Sequence, residues 1–486
     1  MIRCRKSPVA LAAATLIALA VSSAPASAVT FTWTGGTFNP GTTAPSPLEA
    51  PDELNITTGA NKIFVGPFTN NSLVTWEAGS MFLGGGALIT NNGSWNSQSD
   101  TILTVTTGGG SFTNNGSFAK TGGTGSTTIG VAFSNNGTLD AQTGTLLLNG
   151  SGISFNNGSV FTGAGAVNVA NSSSFNGSFQ SSNLLLSNGT QTGTAAVLNG
   201  SVDWSASTLA GDWTVASGQA LNLIGGGNKI VAGTGTSVVN EGTVSWSGGS
   251  VFLGGGAAVV NNGVWNSQSD TILTITTGGG SLTNNGSFAK TGGTGTTTID
   301  VAFSNTGVVD VQVGTIALPS GFNNTGTLTG DGRFTAGSVL TNSGTVAPGS
   351  FGVGSLDIGS SFVQTASGVL ALDLTSLISF DLLAIANTAD LSGTLALNCL
   401  GLCSYDVGDS FTVLTSGGAR SGTFASLTLS GFATGAFDVI YGANSVSLLV
   451  TEAVTPVPEP HTWALMLAGL AAVGSWARRR STQAAG

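Results

Sequence analysis

Asn114-Asn-Gly-Ser-Phe-Ala-Lys-Thr-Gly-Gly-Thr-Gly125 recurs without a change as Asn284 to Gly295. Around it, Trp76 to Thr145 reappears as Trp246 to Thr315 at a constant offset of 170 residues, with Trp95 to Thr104 and Trp265 to Thr274 identical. A long segment has been duplicated in tandem, and the match extends with slips in register over about 54–148 and 221–318. Inside each copy runs a shorter period. The glycine of an Asn-Asn-Gly or related turn falls at Gly93, Gly116, Gly137 and Gly158, then at Gly242, Gly263, Gly286, Gly307, Gly326 and Gly344. Steps of 18 to 23 residues are the signature of a solenoid and are too short for a string of β-sandwich domains.

Each period has the parts of one coil. Apolar side chains sit two residues past the glycine, at Trp95, Phe118, Leu139 and Val160, and shortly before the turn, at Ile89, Phe112, Phe133 and Phe155. Segments such as Thr101-Ile-Leu-Thr-Val-Thr106 alternate as half-buried strands do. Asn and Gly tolerate positive φ, so Asn-Gly is read as a sharp corner, and stacked Asn side chains can hydrogen-bond along the axis. One coil cannot bury its apolar face alone, so coils must stack. The expectation is an all-β chain: a right-handed parallel β-helix over 29–345, a C-terminal β-rich cap over 346–452, and short hydrophobic helices at both chain ends.

The two ends read as addresses. Arg3, Arg5 and Lys6 precede an apolar run from Val9 to Val21, and Ala26-Ser-Ala28 closes it, the order of a secretory signal peptide over 1–28 cut after Ala28. Signal peptidase and the Sec machinery are the partners this implies. Near the other end, Pro456-Val-Pro-Glu-Pro460 is followed by the hydrophobic stretch Trp463 to Trp476 and by Arg478, Arg479 and Arg480, which act as a membrane stop. Residues 453–486 resemble a PEP-CTERM sorting signal, the C-terminal tag of exported proteins of Gram-negative bacteria. That resemblance implies that Pro458, Glu459 and Pro460 are recognised by an exosortase-like membrane protease while the hydrophobic helix holds the chain in the membrane. It also implies cells that make exopolysaccharide, with the processed protein at the cell surface or in the extracellular matrix.

From Val346 the period breaks. Val369-Leu-Ala-Leu-Asp-Leu374 and Ser445-Val-Ser-Leu-Leu-Val450 alternate as strands, with a hairpin expected at Gly442-Ala-Asn444. This region is similar to the end of autotransporter-type and haemagglutinin-like β-helical passengers, which implies a cap on the solenoid.

Composition limits the chemistry. Charged residues make up 7% of the 486, against about a quarter in ordinary domains. Removing both ends takes six of the 12 basic residues and one of the 22 acidic ones, leaving a body of net charge −15. Such a body does not bind nucleic acid, because it cannot neutralise phosphates. The single histidine, His461, lies in the tag, so the body lacks Ser-His-Asp catalysis and His-ligated metal. Cys399 and Cys403 are too few for structural zinc; in an exported protein they are expected to form a small disulfide across a loop.

Three groups are candidates for more than structure. Asp100 with Lys120, and Asp270 with Lys290, could act as acid–base pairs on a glycan, although duplication alone explains their recurrence. Trp33, Trp76, Trp95, Trp204, Trp213, Trp246 and Trp265 could stack on sugars if exposed, and otherwise pack in the core. The glycine runs at Gly84 to Gly86, Gly108 to Gly110 and Gly254 to Gly256 read as turns, because no Lys-Ser/Thr follows them. The expectation is an exported structural or adhesive protein, not an enzyme, without cofactor, metal or catalytic residue, with extracellular polysaccharide as a candidate partner. The alternative is a polysaccharide lyase or glycosidase on a β-helix scaffold.

Overall fold

The computed structural model describes residues 27–454 and 466–473. It is a parallel β-solenoid of about eighteen coils. In the first copy each coil contributes three short strands, as in Met81–Leu83, Ala87–Asn91 and Ser94–Ser97, and each strand pairs in parallel with its equivalent one coil later. The inward positions form continuous columns. Leu54, Val74, Trp95, Phe118, Leu139 and Phe161 follow one another in register, and so do Phe68, Ile89, Phe112, Phe133 and Ile153. All of them are buried.

The Asn-Asn-Gly corner works differently from the sequence expectation. Gly93, Gly116 and Gly137 do not have positive φ. What selects glycine is close approach: a Cβ on Gly116 would lie 2.1 Å from the Gly93 carbonyl oxygen, and one on Gly137 would lie 2.0 Å from that of Gly116. These carbonyls accept the next coil's amides, Ser117 N–H at 2.9 Å and Thr138 N–H at 2.9 Å, so the corners stack at backbone contact.

Both asparagines of the corner run in ladders. The first is buried: Asn70 donates to Asn91, Asn91 to Asn114 and Asn114 to Asn135, each at 2.7 Å. The second lies at the surface and donates the opposite way, from Asn115 to Asn92 at 2.7 Å and from Asn136 to Asn115 at 2.6 Å. In the second copy the buried ladder starts at Asn240 and continues through Asn261, Asn284, Asn305 and Asn324 to Asn342.

At the fourth coil one expected core position turns outward and another stays buried but changes column. Val160 faces outward and Phe161 takes its place opposite Leu139, while Phe155 pairs with Asn135 and Ile153 with Phe133. Here Gly158 does have positive φ, +88°. Ser159 fills the gap by donating from its hydroxyl to the Asn135 carbonyl at 3.0 Å, which ends the first copy's ladder.

The change at Val346 is one of coil length and not of stacking. Thr345–Pro348, Val369–Ser376, Thr394–Cys399 and Ser426–Ser430 continue one parallel column. The stack closes only at the end, where the hairpin Phe437–Tyr441 and Ser445–Val450, turning at Gly442 to Asn444, lies antiparallel on Ser410–Ser416. Residues 466–473 form a helix. No helix among the described residues is long and apolar enough to cross a membrane.

Candidate functional site

The repeated Asp and Lys do meet, as structural pairs. Lys120 occupies an inward position between Ser97 and Ala141, and its ammonium bends to the corner, 2.7 Å from Asp100 Oδ1, 2.8 Å from the Gly122 carbonyl and 3.3 Å from Thr127 Oγ1. Lys290 repeats this with Asp270, Gly292 and Thr297. Both lysines are fully buried, so neither ammonium can reach a substrate. The Lys120 hydrogen bond, with the Gly125 N–H, holds the Asp100 carboxyl below its usual range, and Asp270 is lowered chiefly by Lys290. Asp100 and Asp270 are thus fixed as anions.

Lys62 and Lys229 are buried in the same way, without a carboxylate. Lys62 donates to the carbonyls of Thr58 and Ala78. Lys229 reaches those of Ile224, Gly225, Gly227 and Gly248 at 2.6 to 3.0 Å, and burial pushes its pKa down to about 8. Every lysine among the described residues is therefore an internal cross-link between turns. The seven tryptophans named above are all buried and offer no surface for sugars. Cys399 and Cys403 are bridged, with Cα atoms 5.9 Å apart, in the loop after Thr394–Cys399.

One open cleft lies where the sequence drew no attention. A cavity of about 380 Å³ is lined by the loop Pro348 to Gly352 and by outward residues of the last parallel coils. Asp373, Asn398 and Ser430 stand in register along one side, with Asn398 Nδ2 donating to Asp373 Oδ1 at 2.9 Å, and Ala371, Ala396 and Thr428 form the floor. Phe351 projects from the loop, 89% exposed. Asp381 anchors the loop by accepting the N–H of Gly354 and of Asp373, each at 2.7 Å. Burial raises its carboxyl to about 7, against the opposing pull of those two N–H groups. The available signal was Pro348-Gly-Ser-Phe-Gly-Val-Gly354, a glycine-rich loop around an unpatterned aromatic.

Pro458, Glu459, Pro460, Arg478, Arg479 and Arg480 lie outside the described residues, as do residues 1–26 with Ala26; Ala28 is described and exposed. The family described as the PEP-CTERM protein-sorting motif matches residues 456–481. No curated protein matches the chain. The motif implies an exported protein, anchored at the membrane until an exosortase, a membrane protease, processes it. The chain thus carries a PEP-CTERM sorting motif behind a β-helical passenger.

Proposed function

We propose that the released passenger is a structural or adhesive rod at the cell surface or in the extracellular matrix, that it associates with exopolysaccharide, and that it has no catalytic activity. The observation that carries this reading is a column of hydroxyls. Thr69, Thr90, Thr113, Ser134, Ser154, Ser174 and Thr192 follow one another outward on successive coils. Their spacing of about 4.8 Å is close to the length of one sugar ring, so a polysaccharide lying along the axis meets a hydroxyl at each residue. The net negative body favours neutral or cation-bridged glycans over strongly acidic ones.

The test is sedimentation of the purified passenger with bacterial exopolysaccharide, followed by product analysis. Co-sedimentation that weakens when Thr90, Thr113 and Ser134 are changed to Ala supports the reading. Failure to bind any matrix polysaccharide would sink it. The cleft beside Phe351 favours a second reading, a polysaccharide-active enzyme, because it is open and lined by two carboxylates, Asp373 and the buried Asp381, whose pKa burial raises to about 7. New reducing ends or unsaturated products, lost in Asp373→Asn, would replace the first reading by the second.

The tag supports a signal-peptide-dependent route, with Glu459 as the charged recognition group. Glu459→Ala is then expected to leave a longer, membrane-retained chain on immunoblots of fractionated cells. Normal trimming of that variant would assign recognition elsewhere.

A further inference from the structure

We propose that Asn188 is a site of spontaneous deamidation, singled out among the ten Asn-Gly pairs of the chain because both of its reacting groups are free of hydrogen bonds. In this reaction the backbone nitrogen of the glycine loses its proton to base and attacks Cγ of the asparagine. The new N–C bond forms as the C–N bond of the side-chain amide breaks and ammonia leaves. Water then opens the resulting succinimide at either carbonyl, giving aspartate or isoaspartate. Glycine allows the attack because it has no side chain to obstruct it, and asparagine is among the thermolabile residues.

In the solenoid most of these pairs are blocked. Asn92, Asn115, Asn262 and Asn285 have their amides tied into the surface ladder, and the glycine N–H after each donates to the previous coil at 2.9 to 3.1 Å. Asn157 accepts from Ser178 N–H while Gly158 N–H donates to the Ser178 carbonyl. Asn199 donates to Ser178 Oγ, and Gly200 N–H donates to Gln219. Asn136 and Asn176 keep their amides on Asn115 and Asn156. Asn149 is the informative intermediate. Its side chain is exposed and unbonded, but Gly150 is buried and its N–H donates to the Ile129 carbonyl.

Asn188 has neither restraint. It lies exposed in the corner between Ser173–Leu186 and Thr190–Trp204, in the segment that joins the two copies. Its backbone carbonyl accepts from Gln191 Nε2 at 2.6 Å, which steadies the turn without engaging either reacting group. The product places a new carboxylate in the segment between the two copies, on a body whose net charge is already negative.

The experiment is incubation of the folded protein at mildly alkaline pH, with digestion and mass analysis of each Asn-Gly peptide over time. Asn188 is expected to convert roughly tenfold or more faster than the ladder asparagines, the factor for about 1.4 kcal/mol of hydrogen bonding that must first break. Asn149 should fall between them. In denaturant all ten are expected to convert at similar rates, and Asn188→Gln should abolish the early acidic shift of the folded protein on ion exchange. Ladder asparagines converting as fast as Asn188 in the folded protein, or Asn188 no faster than Asn149, would overturn the assignment.

Discussion

At an offset of 170 residues the two copies keep one set of side chains and relax another. The first four rungs of the buried ladder are identical, Asn70, Asn91, Asn114 and Asn135 matching Asn240, Asn261, Asn284 and Asn305, and so are the Lys120 and Lys290 cross-links. The core is not. Met81, Ile89, Phe112 and Leu139 become Val251, Val259, Leu282 and Val309. In the first copy Trp95, Phe112 and Phe133 form a run of ring contacts, edge-to-face and then stacked, with centroids 5.1 and 5.5 Å apart. In the second, Leu282 interrupts it, Phe303 is only half-buried, and a cavity of about 10 Å³ opens among Val251, Val259 and Trp265. A ladder amide must reach a partner within a few tenths of an ångström, whereas apolar burial is non-directional and tolerates a lost methylene.

The strongest challenge to this comparison is a charge in the shared part of the core. Phe118→Asp and Phe288→Asp each bury a carboxylate with no partner and are expected to cost more than about 4 kcal/mol. Loss of β-structure in far-ultraviolet circular dichroism would report it; wild-type melting would show that these rings face solvent. Next in size, Phe112→Ala should cost about 3–5 kcal/mol and Leu282→Ala about 2–4, because the second copy has less ring packing to lose. Denaturant titration that ranks them the other way would remove the distinction between the cores.

The ladder should behave alike in both copies. Asn114→Ala and Asn284→Ala each strand a neighbouring amide and a strand carbonyl, for about 1–3 kcal/mol, and unequal losses by the same titration would show that the ladders differ. Filling the second core with Val259→Ile should raise stability by about 0.5–1 kcal/mol, while the reciprocal Ile89→Val lowers it by about as much. A further effect is one of pH. Lys229 has its pKa lowered from 10.5 to about 8 in the fold, so the unfolded chain binds its proton more tightly. Its contribution is then present above pH 10.5 and lost as pH falls through 8. Lys229→Met should flatten that rise in thermal melts, and an unchanged slope would show that the carbonyl cage fully offsets burial.

The closing coils show where legibility stopped. The alternation of Val369 to Leu374 was readable as a strand, but its parallel partner Thr394–Cys399, and that strand's own next partner Ser426–Ser430, follow after long coils of unequal length, so no fixed period points to them. The cleft at Phe351 depends on that stacking, because Asp373, Asn398 and Ser430 are distant in sequence and become neighbours only through register. The slip at Gly158 was hidden for a related reason: Asn156-Asn-Gly158 has the composition of the other corners and a different backbone.

The sequence by itself determined the coil, the duplication, the inward columns and the sorting motif, since each is a pattern in residue type at fixed spacing along one chain. Only the tertiary structure decided what those residues do for one another. It made glycine a matter of contact between coils, turned all four lysines of the described residues inward as cross-links, and buried every tryptophan of the repeats. The physical reason is that each of these outcomes is set by the coil above or below. A neighbour's carbonyl, amide or ring arrives there through parallel register, and that register belongs to the stack and not to any local stretch of sequence.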